Sequence, residues 1–168
     1  MASQRKRRKT KQSQEKATSI GSLIEISRLD DVWRLSIPID PVPASRPRFT
    51  RSGHTFYGKN YTTFRKQAAV LFGWAVLPPE FPLCGQLAVT TRFIVAKPKT
   101  SKLSAPRGDV DNYFKTLDVL NEVVWKDDVQ LLWASMSKEF GEKPRIEMEV
   151  TEIGGLEVLK ARSLSEMR

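Results

Sequence analysis

A chain of 168 residues with 40% apolar content has room for one domain with a real core and a tail. No apolar run approaches the roughly 20 residues of a membrane helix, the single cysteine, Cys84, excludes an internal disulfide and favours a reducing compartment, and the single histidine, His54, excludes zinc sites built from several His or Cys and leaves a Ser-His-Asp triad one candidate base. Of the net charge of +9, residues 1–16 hold +6, seven basic residues against Glu15, so two thirds of the excess lies in an N-terminal segment.

That segment has a basic start with no apolar stretch behind it, unlike a secretory signal. It has too few apolar residues to offset the entropy of folding and is expected to be a disordered tail. Arg5, Lys6, Arg7, Arg8 and Lys9 have two readings, a solubilising arm or a non-specific clamp on a phosphate backbone. Lys6 to Lys9 also has the form of a nuclear address, but such runs are common.

Residues 17–31 read as a linker, which makes 1–31 tail and linker, 32–153 the domain and 154–168 a polar C-terminal tail. Trp33, Leu35, Ile37 and Ile39 alternate with polar positions, the period of a strand with one face on a core. Pro41, Pro43 and Pro47 then set a basic loop in which Arg46, Arg48 and Arg51 bracket Phe49, with His54, Phe56 and Tyr57 close behind. Exposed arginines are ordinarily solvated surface. Arginines interleaved with aromatics also suit phosphate contact beside a stacking platform.

A helix is predicted from about Tyr61 to Leu77 on the stripe Phe64, Ala68, Leu71, Phe72 and Ala75, stopped by Pro78-Pro79. Leu87 to Val95 alternates as a second strand, and residues 97–108 read as a basic loop. A second helix is predicted over about 111–124, with Tyr113, Leu117, Leu120 and Val124 facing the core and Asp111, Lys115, Asp118 and Glu122 on the opposite side. Two strands follow, about Val129–Phe140 and Ile146–Val150, with Gly141–Pro144 as a hairpin turn between them. The order β-α-β-α-β-β predicts an α+β domain, a mixed sheet with two helices packed on it.

The chemistry concentrates in Asp109-Val-Asp111-Asn112-Tyr-Phe-Lys115 and Trp125-Lys-Asp127-Asp128-Val-Gln130. Taken singly, each residue has a plain structural role. Asp111 suits an N-cap, Asp111 with Lys115 an i,i+4 ion pair, Asp127-Asp128 a turn, and Trp125 a core aromatic. Taken together, two acids on one side of a helix start repel, and a cation relieves the repulsion. Lys115 reaches the same region from one turn along. Carboxylates hold Mg²⁺, and Mg²⁺ with a lysine suits phosphodiester chemistry. An EF-hand from Asp109 needs Gly and Glu where Phe114 and Leu120 stand, and a sugar-transferase Asp-x-Asp lacks a nucleotide-binding Gly-rich loop. Asp118 and Glu122 read as a solvated helix face, about 10 Å or more along the axis from Asp111 in an α-helix.

These segments, with Pro43-Ala-Ser-Arg46-Pro47-Arg48, resemble the RusA family of Holliday junction resolvases over about Val32 to Glu152. Ala44 departs from the pattern, since many members carry a lysine near it, and the long basic N-terminal arm lies outside it. The resemblance implies a homodimeric, Mg²⁺- or Mn²⁺-dependent endonuclease that needs no small-molecule cofactor and no membrane. Its partner is branched DNA, a four-way junction nicked symmetrically on two opposing strands in recombination and repair. It implies Asp109, Asp111 and Asp128 as metal ligands, Lys115 as the basic active-site residue, Asp127 as the lesser of its pair, and a cytoplasmic, nucleoid-associated setting in a bacterial or phage-infected cell. Two other readings stay open: a non-catalytic basic DNA-binding protein, and a metal nuclease for forks, flaps or RNA.

Overall fold

The computed structural model describes residues 23–154. The tail residues Arg5, Lys6, Arg7, Arg8 and Lys9, and the C-terminal tail after Gly154, lie outside the described residues.

The architecture is α+β, a five-stranded mixed sheet with its helices on one face. Its strands are β1 (Glu25–Leu29), β2 (Val32–Ile37), β5 (Gln86–Ala96), β6 (Leu131–Gly141) and β7 (Arg145–Ile153), in the spatial order β1-β2-β7-β5-β6. Only β5 and β6 run parallel; every other neighbouring pair is antiparallel. A separate hairpin joins β3 (Arg48–Phe49) to β4 (Thr55–Phe56). Helix α1 spans Lys59–Gly73 and the short helix α2 spans Val110–Phe114, continuing as a 3₁₀ segment over Lys115–Leu120.

The sheet alternates as period-two patterning demands. Leu35 and Ile37, Leu87, Val89 and Phe93, and Ile146, Met148 and Val150 point into the core. Tyr61, Phe64, Ala68 and Phe72 of α1 cover them, with Leu117, Leu120, Val124 and Trp125 beside them. The opposite face of the sheet is solvated. Arg34 pairs with Glu149 at 2.9 Å, and Arg92 bridges Glu139 at 2.6 Å and Glu147 at 2.9 Å. Exposed pairs of this kind add little stability; they keep that face wet.

Three expectations need correction. The sheet begins at Glu25, inside the stretch read as linker. Ile24 and Ile26 alternate with polar residues there, and the two-residue Asp30-Asp31 turn, with Asp30 at φ 53°, closes a β1–β2 hairpin in register Leu29↔Val32. Aspartate tolerates that left-handed conformation because its short side chain bonds locally.

The second helix is not continuous over 111–124. It tightens to 3₁₀ at Lys115 and ends at Leu120, and Glu122 stands at φ 61°. Its stripe survives the change, since Tyr113, Leu117, Leu120 and Val124 are all buried. β6 and β7 are also not a hairpin. β5 lies between them, and the Gly141–Pro144 connection passes over the end of β5. Gly141 is required there, because a Cβ would overlap Ile94 Cγ2.

Candidate metal and nucleic-acid site

Asp109 occupies the N-cap position of α2, with extended backbone, and its side chain makes no cap hydrogen bond. The helix therefore starts one residue before Asp111, and Asp111 sits in the first turn rather than at the cap. Lys115 Nζ donates to Asp111 Oδ2 at 2.9 Å, with both side chains more than half exposed. That hydrogen bond holds the Asp111 carboxyl below the usual carboxylate range.

The approach to Asp109 is fixed by neighbours that sequence reasoning missed. Lys138, on β6, donates to the carbonyls of Pro106, at 2.6 Å, and Gly108. Its ammonium also lies 5.9 Å from the Tyr113 ring centre, and Tyr113 donates its hydroxyl to Arg107 O at 3.0 Å. Gly108 stands at φ 89° against Pro43, where a Cβ would meet the proline ring at 3.3 Å. Only glycine suits both demands. A lysine in a strand thirty residues downstream carries no local signal of this role.

The basic loop docks on the same helix. Ala44 N–H donates to Asn112 O at 2.7 Å, and Gly58 N–H to Ser45 Oγ at 2.9 Å. Residues 46–56, read as loop, end in the β3–β4 hairpin, with Gly53 at φ 80° in its turn. Arg46, Arg48 and Arg51 are exposed, and Phe49 is 71% exposed between them. Among the described residues, none of the three pairs with an acid. The loop thus projects unpaired guanidinium groups and an aromatic ring from a strap anchored to α2.

The second acid segment is largely occupied by its own architecture. Trp125 is fully buried and donates its indole N–H to Asn121 Oδ1 at 2.7 Å. Asp127 caps a 3₁₀ turn over Asp128–Gln130, accepting from Val129 N–H at 2.9 Å. Gln130 closes the capping box, accepting from Asp127 N–H at 2.8 Å while donating to Leu83 O at 3.1 Å and Gly85 O at 2.6 Å. Asp128 is exposed, and its carboxylate makes no hydrogen bond or ion pair among the described residues.

Asp118 is remote from Asp111 even in an α-helix, and the 3₁₀ turn carries it farther along the axis, at about 2.0 Å per residue. It comes instead within electrostatic reach of Asp128 and of Arg65, which stacks over Tyr57 and Tyr61. Partial burial first, and then the Asp128 charge, push its carboxyl above the ordinary range. Neither Asp109 nor Asp128 is among the groups that shift Asp111.

A profile described as "Endodeoxyribonuclease RusA" matches residues 38–151. The chain belongs to the RusA endodeoxyribonuclease family. The match covers β2 through β7 and both acid segments, and as a RusA-family chain this is an endodeoxyribonuclease. It is also similar to a Bacillus subtilis protein described as uncharacterized YqaN, 37% identical over 141 residues, covering 73% of this chain and 98% of that one. Among solved structures, periplasmic-domain structures of Helicobacter pylori MotB superpose at TM-scores of 0.34 with 12% identity, over 86% of this chain and 88% of that one, and 0.36 with 11% identity, over 87% and 76%. A superposition that loose carries no argument about the RusA-type domain.

Exposed aspartates with free oxygens are the donor chemistry of a hard divalent cation, which binds through one or two carboxylates and keeps waters. Among the described residues, however, no three acids converge on one point. Asp109 and Asp111 lie together at the start of α2, and Asp128 sits apart, beside Asp118. The donors fit a cation in kind, and their arrangement is not a three-carboxylate centre.

Proposed function

We propose that this chain resolves four-way DNA junctions as a homodimer, nicking two opposing strands with Mg²⁺ or Mn²⁺. One observation carries the reading. Within two otherwise engaged segments, Asp109 and Asp128 are left exposed without partners, and the anchored arginine loop lies against the first of them. Binding an anionic duplex gains nothing from unpartnered carboxylates, so their retention beside a basic strap favours chemistry over binding alone.

Asp109, Asp111 and Asp128 would hold the cation, which when bound supplies charge neutralisation at the phosphate. Arg46, Arg48 and Arg51 would grip backbone phosphates and set the register of the strand. Lys115, held in place by Asp111, presents its ammonium toward solvent, where it can stabilise charge building on the scissile phosphate. With no histidine at the site, a carboxylate is the candidate proton acceptor among the chain's own residues. The N-terminal basic residues would hold flanking arms, and the setting would be cytoplasmic, at the nucleoid.

The test is cleavage of a mobile four-way junction, mapped on all four strands, with Mg²⁺, with Mn²⁺ and with chelator. Paired cuts on opposing strands that vanish with chelator are expected. Equal cutting of Y-forks, linear duplex or RNA overturns the junction assignment. A second reading, a non-catalytic DNA-binding protein, is favoured by the acids that do not converge. It predicts junction binding with no nicking in either metal.

A further inference from the structure

The sheet has two edges, and they are built differently. β1 is five residues long, carries Glu25 and Arg28, and ends at Asp30-Asp31. Short charged edges of this kind resist pairing with another strand. β6 is eleven residues long, has no proline, and has no charge from Leu131 to Ser137. It pairs with β5 on one side only, and its other side makes no backbone hydrogen bond to any described residue. Exposed apolar side chains cluster at its start, with Val129 at 79%, Leu132 at 39% and Trp133 at 42% exposure. A long, uncharged open edge is a template for another strand.

We propose that β6 is the surface through which two copies of this chain pair, edge to edge and antiparallel. The proposal rests on the homodimeric reading above and names its surface. The strand's own residues select a second copy as the occupant. A two-fold axis perpendicular to the sheet sets residues of the same face opposite each other. The register centred on Met136 pairs the whole strand, Leu131 to Gly141, with itself. Met136 then faces Met136 of the second copy, Ala134 faces Lys138, Ser135 faces Ser137, and Trp133 faces Glu139. No like charges are opposed. Slipping the centre to Lys138 or Glu139 opposes two lysines or two glutamates, which is destabilising. The charges at the end of β6 thus reject the slipped registers that its uncharged half would tolerate.

The product is a continuous ten-stranded sheet, five strands from each copy, with both helical layers on one face. Both Asp109–Lys115 segments then face the same side. β6 also carries Lys138, which holds the approach to Asp109, and directly follows the Asp128 turn, so the interface and the two acid segments share one element.

The experiment uses the full chain. Directly opposed antiparallel residues have Cα atoms about 4.5–5.5 Å apart, within the range a disulfide spans. In a Cys84→Ser background, Met136→Cys should give a disulfide-linked dimer under mild oxidation, while Val70→Cys on α1 should not. By analytical ultracentrifugation the wild-type chain should be dimeric, and Met136→Lys, which sets two ammonium groups together at the axis, should weaken the dimer at least tenfold. Val70→Lys with Trp74→Lys, on the exposed side of α1, should leave it intact. A monomeric wild type overturns the homodimeric reading itself. A dimeric wild type in which Met136→Cys fails to cross-link and Met136→Lys stays dimeric overturns the β6 assignment and leaves the homodimer standing.

Discussion

The two acid segments look alike in sequence and are built to different ends. In Asp109–Lys115 the side chains stay available: Asp109 is a cap position without a cap bond, and Asp111 is tied only to Lys115, on the surface. In Trp125–Gln130 most side chains are engaged: the indole in the core, the Asp127 carboxylate in a cap, the Gln130 amide across to the chain before β5. One segment is a set of functional groups on a short helix. The other is scaffolding that presents a single functional group, Asp128. Neighbouring residues of one type, Asp127 and Asp128, are separated by what their backbone needs.

The largest effects expected from this contrast are on chemistry. Asp109→Asn, Asp111→Asn and Asp128→Asn should each reduce junction cleavage in Mg²⁺ below detection, with binding and thermal midpoint close to wild type. Full cleavage by Asp111→Asn would sink the assignment of the first segment. Asp127→Ala should behave oppositely. Loss of an N-cap costs about 1 kcal/mol, so the midpoint should fall, with cleavage lowered only as far as Asp128 is displaced. Gln130→Ala strips a donor from two carbonyls and should cost about 1–2 kcal/mol. If Gln130→Ala kept full stability, the scaffolding half of the comparison would be wrong.

Lys115→Met sharpens the first half. An exposed i,i+4 pair contributes about 0.3–0.5 kcal/mol, so the midpoint should barely move while cleavage falls. A smaller effect is expected from the strap. Replacing Arg46, Arg48 and Arg51 together by Gln should weaken binding and flatten the logarithmic salt dependence by nearly three units, about 0.9 for each phosphate no longer neutralised. An unchanged slope would return these arginines to solvated surface.

What was legible in the sequence follows the range of the physics behind it. The α+β class, the sheet faces and the buried stripe Tyr113, Leu117, Leu120 and Val124 follow from local periodicity, which survives even where α gives way to 3₁₀. The β1 strand was readable in Ile24, Ile26 and the Asp30-Asp31 turn, and mixed composition masked it. The β6–β7 crossing was not readable, because Gly141–Pro144 suits a hairpin equally well and only the position of β5 decides. Lys138 was out of reach for the same reason: its partners are backbone carbonyls, which have no signature in sequence. For Asp118 the sequence offers only a distance from Asp111, whereas the charge that matters to it comes from beyond the helix, at Asp128.

Asp118 offers the finest test of how the two segments meet. Its carboxyl is pushed up by burial and by the Asp128 charge, so the folded protein holds this proton to higher pH than the unfolded chain. In that case stability is present at low pH and is lost as pH rises from the ordinary carboxylate value through the raised one. Asp118→Asn keeps the shape and removes the charge. Its thermal midpoint should therefore exceed wild type at pH 7 and converge with it in acid, below the ordinary carboxylate range. Asp128→Asn should raise the midpoint too, by less, because burial is the larger cause at Asp118. If Asp118→Asn lowered the midpoint at pH 7, the ionised carboxylate would be held by a favourable partner, and Arg65 rather than Asp128 would govern the junction between the two segments.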